Sequence, residues 1–419
     1  MNVLWITNII FPAIAEKLNL PKEVFGGWMY SSAKRLVSSN PSLKLAVATV
    51  HSGSQFVMHE LDGVLYFLLP LNGANNSKYN KHLEKHWKYV CKYFNPNLVH
   101  LHGTEYAHGL AFLKACPTIP AVASIQGIVS RIARYYYAGL TTWDILNSIT
   151  LRDILRGTIW ANKKRFERSG EIEKDILCQL KHVIGRTSWD KAHAMAINPN
   201  IKYHACNETL RDTFYGKTWS YNDCEKYSIF ISQAGYPIKG LHQLLKAMPY
   251  ILRRYPNTKI YVAGGDITKS NDGIKGRLSR TGYGCYIDRL IKRYGLKNNI
   301  IFTGVLDEQQ MCQRFLRSNV FVCPSAIENS PNSLGEAQLL GVPCVASYVG
   351  GSMDMMVGNE ENLYRFEEVE MLATKICNIF ANCRTVNTLI QRRAFIRHDG
   401  NKNNLDLLAI YNESLMSYK

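Results

Sequence analysis

The sequence holds 419 residues, 46% of them apolar and 20% charged, with 50 Lys and Arg against 33 Asp and Glu for a net charge of +17. That length exceeds one ordinary core and fits two domains, and the composition is that of a globular chain, not a solenoid or a disordered tail. The positive surplus suits an anionic partner (nucleic acid, acidic lipid or a phosphorylated small molecule), and the scatter of basic residues along the chain weighs against nucleic acid.

No run approaches the about 18 consecutive apolar residues of a membrane span. Met1–Thr7 lacks the basic, apolar and small-residue regions of a secretory signal, so a cytoplasmic protein is expected. The 11 cysteines show no CxxC pair and no Cys/His metal spacing, and read as buried free thiols. No metal site is expected.

Along the first half, short apolar runs alternate with helical patterns. Asn2–Thr7, Leu43–Val50, Val64–Pro70, Leu98–His102, Ala121–Ile125 and His182–Arg186 read as strands. Trp28–Ser38, Lys78–Phe94 and Leu110–Cys116 read as helices, the second with Leu83, Trp87, Val90 and Phe94 on one face. Val129–Leu180, rich in Arg, Tyr and Trp, reads as mostly helical. A second alternating series begins near Tyr227. Its strands are Ser228–Ser232, Lys259–Ala263, Asn299–Phe302, Asn319–Cys323 and Pro343–Ser347. Its helices are Leu241–Tyr255, Tyr286–Tyr294, Glu308–Arg317 and Pro331–Leu340. Strands alternating with helices imply parallel sheets covered on both faces. The expected architecture is two Rossmann-like α/β domains facing a central cleft, residues 1–215 and 216–400. The polar stretch Asp212–Glu225 marks the boundary, and a C-terminal helix in 401–419 packs on either domain.

The most informative segment is Pro324 to Ala337, directly after a strand. Ser330 suits an N-cap and Pro331 a first helical position. The N–H groups of Asn332, Ser333 and Leu334 would then be free to hold an anion such as a diphosphate. Glu328 and Glu336 bracket that site. They read equally as acceptors for sugar and ribose hydroxyls, or as a solvated loop residue and a favourable first-turn charge.

Glu328 and Glu336 form a Glu-x7-Glu pattern that resembles the retaining glycosyltransferases of the GT-B fold. The segment from Pro324-Ser325 through Gly341-Val342-Pro343 to Gly350-Gly351 is similar to glycosyltransferase family 4. The resemblance implies that Glu328 holds the donor sugar and Glu336 the ribose. Tyr236-Pro-Ile-Lys239-Gly240 resembles that family's Lys-Gly element, with Lys239 neutralising the diphosphate. The usual Gly-Arg is replaced by Ser232-Gln233, with one extra residue before Lys239, so Ser232 is counted at the donor site and the resemblance does not carry over the family's second cation. Ala263-Gly264-Gly265 and Gly304-Val305 resemble the turns that let backbone approach the nucleotide.

In the first domain Gly26-Gly27-Trp28 resembles the family's glycine loop, with Trp28 on the acceptor side. It is not GxGxxG, and no GxxxxGK[ST] run occurs. Val99 to Glu105 resembles the family's strand-end His-Gly element, with His102 directed at the cleft. Gln126 stands where many relatives carry an active-site histidine, and an amide can bond a hydroxyl without taking a proton. Arg186 either serves a phosphate or pairs with an acid.

The resemblance implies transfer of a hexosyl group from a nucleoside diphosphate sugar to a glycan or lipid-linked acceptor, with retention, in surface polysaccharide biosynthesis. The catalytic set is Glu328, Lys239, His102 and Gln126. No cofactor or metal is required, and the DxD run of metal-dependent sugar transferases is absent. The aromatic-basic stretch Arg131–Arg168 reads either as a helical insertion or as a peripheral contact with the inner face of the membrane. A nucleotide-sugar epimerase and a nucleic-acid-binding protein are the rival classes. The first would lack the Glu-x7-Glu pattern, and the second would cluster its charge.

Overall fold

The structure, a computed structural model, describes residues 1–20, 27–71, 78–269 and 280–418. The chain divides into two compact units. The first comprises Met1–Arg131, Arg165–Arg211 and His398–Lys419, and the second Ile132–Lys164 and Asp212–Arg397.

In the first unit the described residues form eight strands: β1 (Asn2–Ile6), β2 (Lys44–His51), β3 (Val57–Leu61), β4 (Val64–Pro70), β5 (Leu98–His102), β6 (Ala121–Ser124), β7 (His182–Gly185) and β8 (Lys202–Ala205). They lie in the order β3-β4-β2-β1-β5-β6-β7-β8. Every pairing is parallel except the β3–β4 hairpin. Its two-residue turn, Asp62-Gly63, has φ of 53° and 73°, the double left-handed pair that matches strand twist.

Successive residues of β1 serve opposite faces, as the two-residue strand period requires. Leu4 and Ile6 pack with Phe67, Trp87, Leu101 and Phe112 on one face. Val3 and Trp5 pack with Leu45, Val47, Met29 and Leu36 on the other. That second face also takes Leu407, Ile410 and Tyr411 of the helix Gly400–Met416, which belongs to the first unit. Tyr411 Oη accepts from Trp5 Nε1 at 2.9 Å and lies 2.7 Å from His100 Nδ1, so each polar tip buried here has a partner.

In the second unit the described strands are β9 (Glu225–Ile231), β10 (Lys259–Val262), β11 (Ile300–Phe302), β12 (Ser318–Cys323), β13 (Cys344–Ser347) and β14 (Leu363–Tyr364). Their order is β11-β10-β9-β12-β13-β14, all parallel. The chain runs outward from β9 in one direction and resumes at β12 in the other. The order therefore reverses between β9 and β12, and open parallel sheets bind ligands at the carboxyl end of such a point.

The segment 132–164 departs from the expected boundaries. It belongs to the second unit, not to a first domain running to residue 215. Its ties explain why: Ala138 O lies 2.8 Å from His242 Nε2, Thr150 Oγ1 donates to Arg280 O at 2.9 Å, and Arg289 donates to the carbonyls of Asp144 and Asn147. No local sequence pattern signals contacts across a hundred residues.

Candidate functional site

Two loops meet at the β9–β12 reversal of the second unit. After β9 the chain turns through a short 3-10 segment, Pro237–Lys239, closed by Gly240 at φ 70°. After β12 it runs through Pro324–Asn329. The loops are tied by Ala326 N–H, which donates to Ile238 O at 2.7 Å. Their approach is close enough that a Cβ at Gly240 would lie 1.7 Å from Pro324 O. On the far side Gly351 N–H donates to Glu328 O at 3.0 Å, and a Cβ at Gly350 (φ 50°) would lie 2.0 Å from that same oxygen. Gly240 thus lets the two loops close on each other and Gly350 sets the height of the Glu328 backbone, because only glycine fits at either place.

The side chains of this clamp converge. Lys239 Nζ lies 2.6 Å from Glu328 Oε1, which also accepts from Ser325 Oγ at 2.7 Å. Both partners are mostly buried, with side chains 18% and 12% exposed. Burial by itself would pull the Lys239 ammonium down, but the Glu328 carboxylate and Tyr236 hydroxyl hold it above the ordinary lysine range. The lysine therefore stays charged. Ser325, which the sequence analysis did not single out, is held by Ser347 Oγ, which donates to its carbonyl.

The helix Asn332–Leu340 begins four residues after Glu328, with Pro331 as its N-cap and no capping side chain. The start lies one residue later than expected. Asn332 and Ser333 are half-buried at its mouth and Glu336 is buried. Leu334 N–H donates to Pro331 O at 3.0 Å, so the expectation of an unpaired N–H there does not hold. A helix that opens without a side-chain cap leaves its first turn available to an anion.

The glycines that follow β10 and β11 pair with each other: Gly264 N–H donates to Gly304 O at 2.9 Å. Both have positive φ, 107° and 78°, and a Cβ on either would meet nothing within 4 Å. Val305 beside them is exposed and Ser232, just past β9, is half-buried.

The first unit carries a second group at the ends of β5, β6 and β7. His102 ends β5, is buried, and neither ring nitrogen has a hydrogen-bond partner. Its ring packs 4.3 Å from Trp5, 3.9 Å from His100 and 6.1 Å from Trp28. Burial pushes its pKa down to about 3, so the ring is neutral. Gln126 Nε2 is likewise buried without a partner. Arg186 forms a buried ion pair with Glu208 and donates to Ile125 O at 2.9 Å and Gln126 O at 3.3 Å. Of its two readings, pairing with an acid is the one found. Trp28, His102, Ser124, Arg186 and Asn207 line a cavity of about 40 Å³ with room for a few waters or one small polar group. Gly27 opens the helix Gly27–Ser39, and Gly26 lies outside the described residues.

The loop that carries Gln126 is fixed from below by Glu173, which the sequence analysis missed. This fully buried carboxylate accepts from Val129 N–H at 2.7 Å, Ser130 N–H at 3.0 Å and Ser130 Oγ at 2.6 Å. Burial raises its pKa to about 7, partly offset by those bonds and reinforced by the charge of Glu105. One acid in a helical stretch gives no signal of such a role.

Residues 217–394, inside the second unit, match the family model of glycosyl transferases group 1. The chain is similar in full length to solved structures. One is sucrose-phosphate synthase from Thermosynechococcus elongatus, with TM-score 0.73, 16% identity and 100% of both chains covered. Another is HepE from Anabaena in complex with UDP-glucose, with TM-score 0.64, 15% identity, and 99% of this chain and 100% of that one covered. The chain has the GT-B fold. Within this GT-B chain, 135 residues are 30% identical to an uncharacterized glycosyltransferase of Methanocaldococcus jannaschii, covering 32% of this chain and 30% of that protein. The alignments to curated relatives span between 22% and 37% of those proteins' length. Among the described residues of the GT-B chain, no cluster of three or more His, Cys, Asp and Glu has metal-holding geometry, and no helix is long and apolar enough to cross a membrane.

Proposed function

We propose that the protein is a retaining glycosyltransferase that moves a hexosyl group from a nucleoside diphosphate sugar to a glycan or lipid-linked acceptor. The observation that carries this reading is the Lys239–Glu328 pair at the strand-order reversal of the second unit, four residues ahead of an uncapped helix. A buried cation beside a helix N-terminus suits a diphosphate. Glu328, held in place by Ser325 and the Gly350–Gly351 turn, orients the sugar hydroxyls. Glu336 takes the ribose hydroxyls, and the open faces of Gly264 and Gly304 admit the nucleotide.

In the reaction the C1–oxygen bond to the diphosphate breaks and a bond to the acceptor hydroxyl forms on the same face, with the hydroxyl proton passing to the leaving diphosphate. Lys239 and the N–H groups at the helix start stabilise the charge that gathers there, a fixed electrostatic contribution. His102 and Gln126, whose buried nitrogens have no protein partner, serve the acceptor side as hydrogen-bonding groups. Synthesis of surface polysaccharide inside the cell is the role this activity suits. The group 1 family match over 217–394 and the UDP-glucose bound by HepE support the donor class.

Thermal unfolding against a panel of nucleotides and nucleotide sugars tests the reading. A ligand at 100 times its Kd adds about 2.7 kcal/mol of stability. UDP- or GDP-type ligands should raise the midpoint and Glu336→Ala should abolish the shift. A folded protein that responds to none of them would sink the donor site.

A further inference from the structure

Within 132–164, Thr141 and Thr150 each open a short helix through a reciprocal capping box. Thr141 N–H donates to Asp144 Oδ2 at 3.0 Å while Asp144 N–H donates to Thr141 Oγ1 at 3.1 Å, and Thr150 and Asp153 repeat this at 3.0 and 3.3 Å. Helices of five or six residues are ordinarily held by burying an apolar face. Here the helices Thr142–Leu146 and Leu151–Arg156 do the reverse. Trp143 is 71% exposed, Leu155 70%, Ile154 69% and Leu151 60%. The caps, Arg289 and the Thr150–Arg280 bond hold the backbone, so these side chains are displayed from fixed turns.

The charge of this segment is mostly positive. Residues 132–164 contain Arg134, Arg152, Arg156, Lys163 and Lys164 against two acids, Asp144 and Asp153. Both acids sit in the capping boxes, and the buried Asp153 also lies 4.0 Å from the Arg152 guanidinium. We propose that the face carrying Trp143, Leu151, Ile154 and Leu155 docks on an anionic lipid bilayer. Apolar side chains enter the headgroup boundary, tryptophan favours that depth, and the arginines beside them meet lipid phosphates. A second copy of the chain fits less well. A stable dimer needs about 20–30 residues a side, far more than this cluster, and two chains of +17 repel. The inference deepens the transferase reading by placing its acceptor at a membrane, but docking is measured without any sugar donor.

The test is flotation of the full chain with vesicles of phosphatidylglycerol and phosphatidylcholine, compared with phosphatidylcholine alone. Wild type should float with the anionic vesicles only and be released by 0.5 M salt, since exposed charges are screened over about 4 Å at that strength. Combined Trp143→Ser, Ile154→Ser and Leu155→Ser should lower the bound fraction at least ten-fold with the unfolding midpoint and nucleotide response unchanged. Arg156→Glu, which leaves the apolar residues in place, should weaken binding to anionic vesicles alone. No flotation of wild type, equal flotation on neutral vesicles, or undiminished flotation of the triple variant overturns the proposal. So does a wild-type dimer that the triple variant converts to monomer. A nucleotide response that is lost while flotation persists counts against the donor site and leaves the docking surface standing.

Discussion

Lys239 Nζ lies 2.6 Å from Glu328 Oε1, and each is the other's charged partner in a site with little solvent. A buried charge whose partner is removed loses far more than the pair contributes. On the proposed reading a diphosphate would bring a replacement anion for Lys239 and free Glu328 to take sugar hydroxyls, making the pair a resting arrangement that the donor rearranges. Lys239→Ala should lower transfer about 10²–10³-fold, the usual loss for one fixed charge-stabilising donor. It should also lower the unfolding midpoint in the absence of ligand. Glu328→Gln keeps the acceptor and its bond from Ser325 but frees the ammonium. Nucleotide diphosphate should then bind as tightly or more tightly, while transfer falls. Nucleotide binding by calorimetry beside sugar transfer separates the two roles.

The glycines around the site divide into those that hold it and those that leave it open. Ala at Gly240 or Gly350 would place a methyl carbon 1.7 Å from Pro324 O or 2.0 Å from Glu328 O, with φ positive in both cases. Backbone must move, and Gly350→Ala should cost about 2–4 kcal/mol in chemical denaturation and abolish donor binding. Gly264→Ala meets nothing within 4 Å and bears only the left-handed strain, about 1–2 kcal/mol. It should fold, and weaken nucleotide binding through the methyl group it puts into the open space. Equal stability losses at Gly350 and Gly264 would contradict this division.

The legible parts of the molecule were those written in local order. The Lys239-Gly240 turn and Glu328 were legible only through their resemblance to glycosyltransferase family 4, the helix after β12 through its Ser330-Pro331 start (one residue early), and the parallel strands as short apolar runs. β3, β8 and β14 were missed: β14 has two residues, and β3 is half-exposed at a sheet edge. Membership of 132–164 in the second unit was hidden, because the bonds from His242, Arg280 and Arg289 lie a hundred residues away. The fate of Arg186 was undecidable for the same reason. Any nearby acid satisfies it on paper, and only the fold selects Glu208.

His102 holds two buried nitrogens with no partner, among Trp5, His100 and Trp28. Such groups cost stability, so replacing them with carbon at constant shape should be neutral or favourable. His102→Phe should raise stability by up to about 1 kcal/mol and cut transfer at least ten-fold by removing the acceptor-side hydrogen bond. Its pKa of about 3 means the ring carries no proton to give near neutrality. The pH–rate profiles of wild type and variant should therefore share their shape and differ in height. A limb near pH 6 that disappears with His102 would assign it a proton-transfer role instead.

Glu173 makes stability depend on pH in a direction opposite to that of the buried histidines. Its pKa rises from the ordinary 4.5 to about 7 in the fold. Between those values the native state keeps a proton that the unfolded chain has released, so the linked stability is present at low pH and lost as pH climbs through 7. Buried His102, His108 and His242, with values of about 3, 4 and 3, act in the other sense and lose stability as pH falls below 6.5. A single pH curve mixes the two, and the difference between wild type and Glu173→Gln separates them. Urea denaturation at pH 5, 6, 7 and 8 should show wild type losing on the order of 1–3 kcal/mol relative to the variant across that range. Because Glu173 holds Val129 and Ser130, the residues just beyond Gln126, transfer by wild type should fall over the same interval as the loop loosens. A difference that grows in favour of wild type toward pH 8 would mean that the three hydrogen bonds Glu173 accepts from Val129 and Ser130 stabilise its anion more than burial opposes it. The Gln126 loop would then be tightest at alkaline pH.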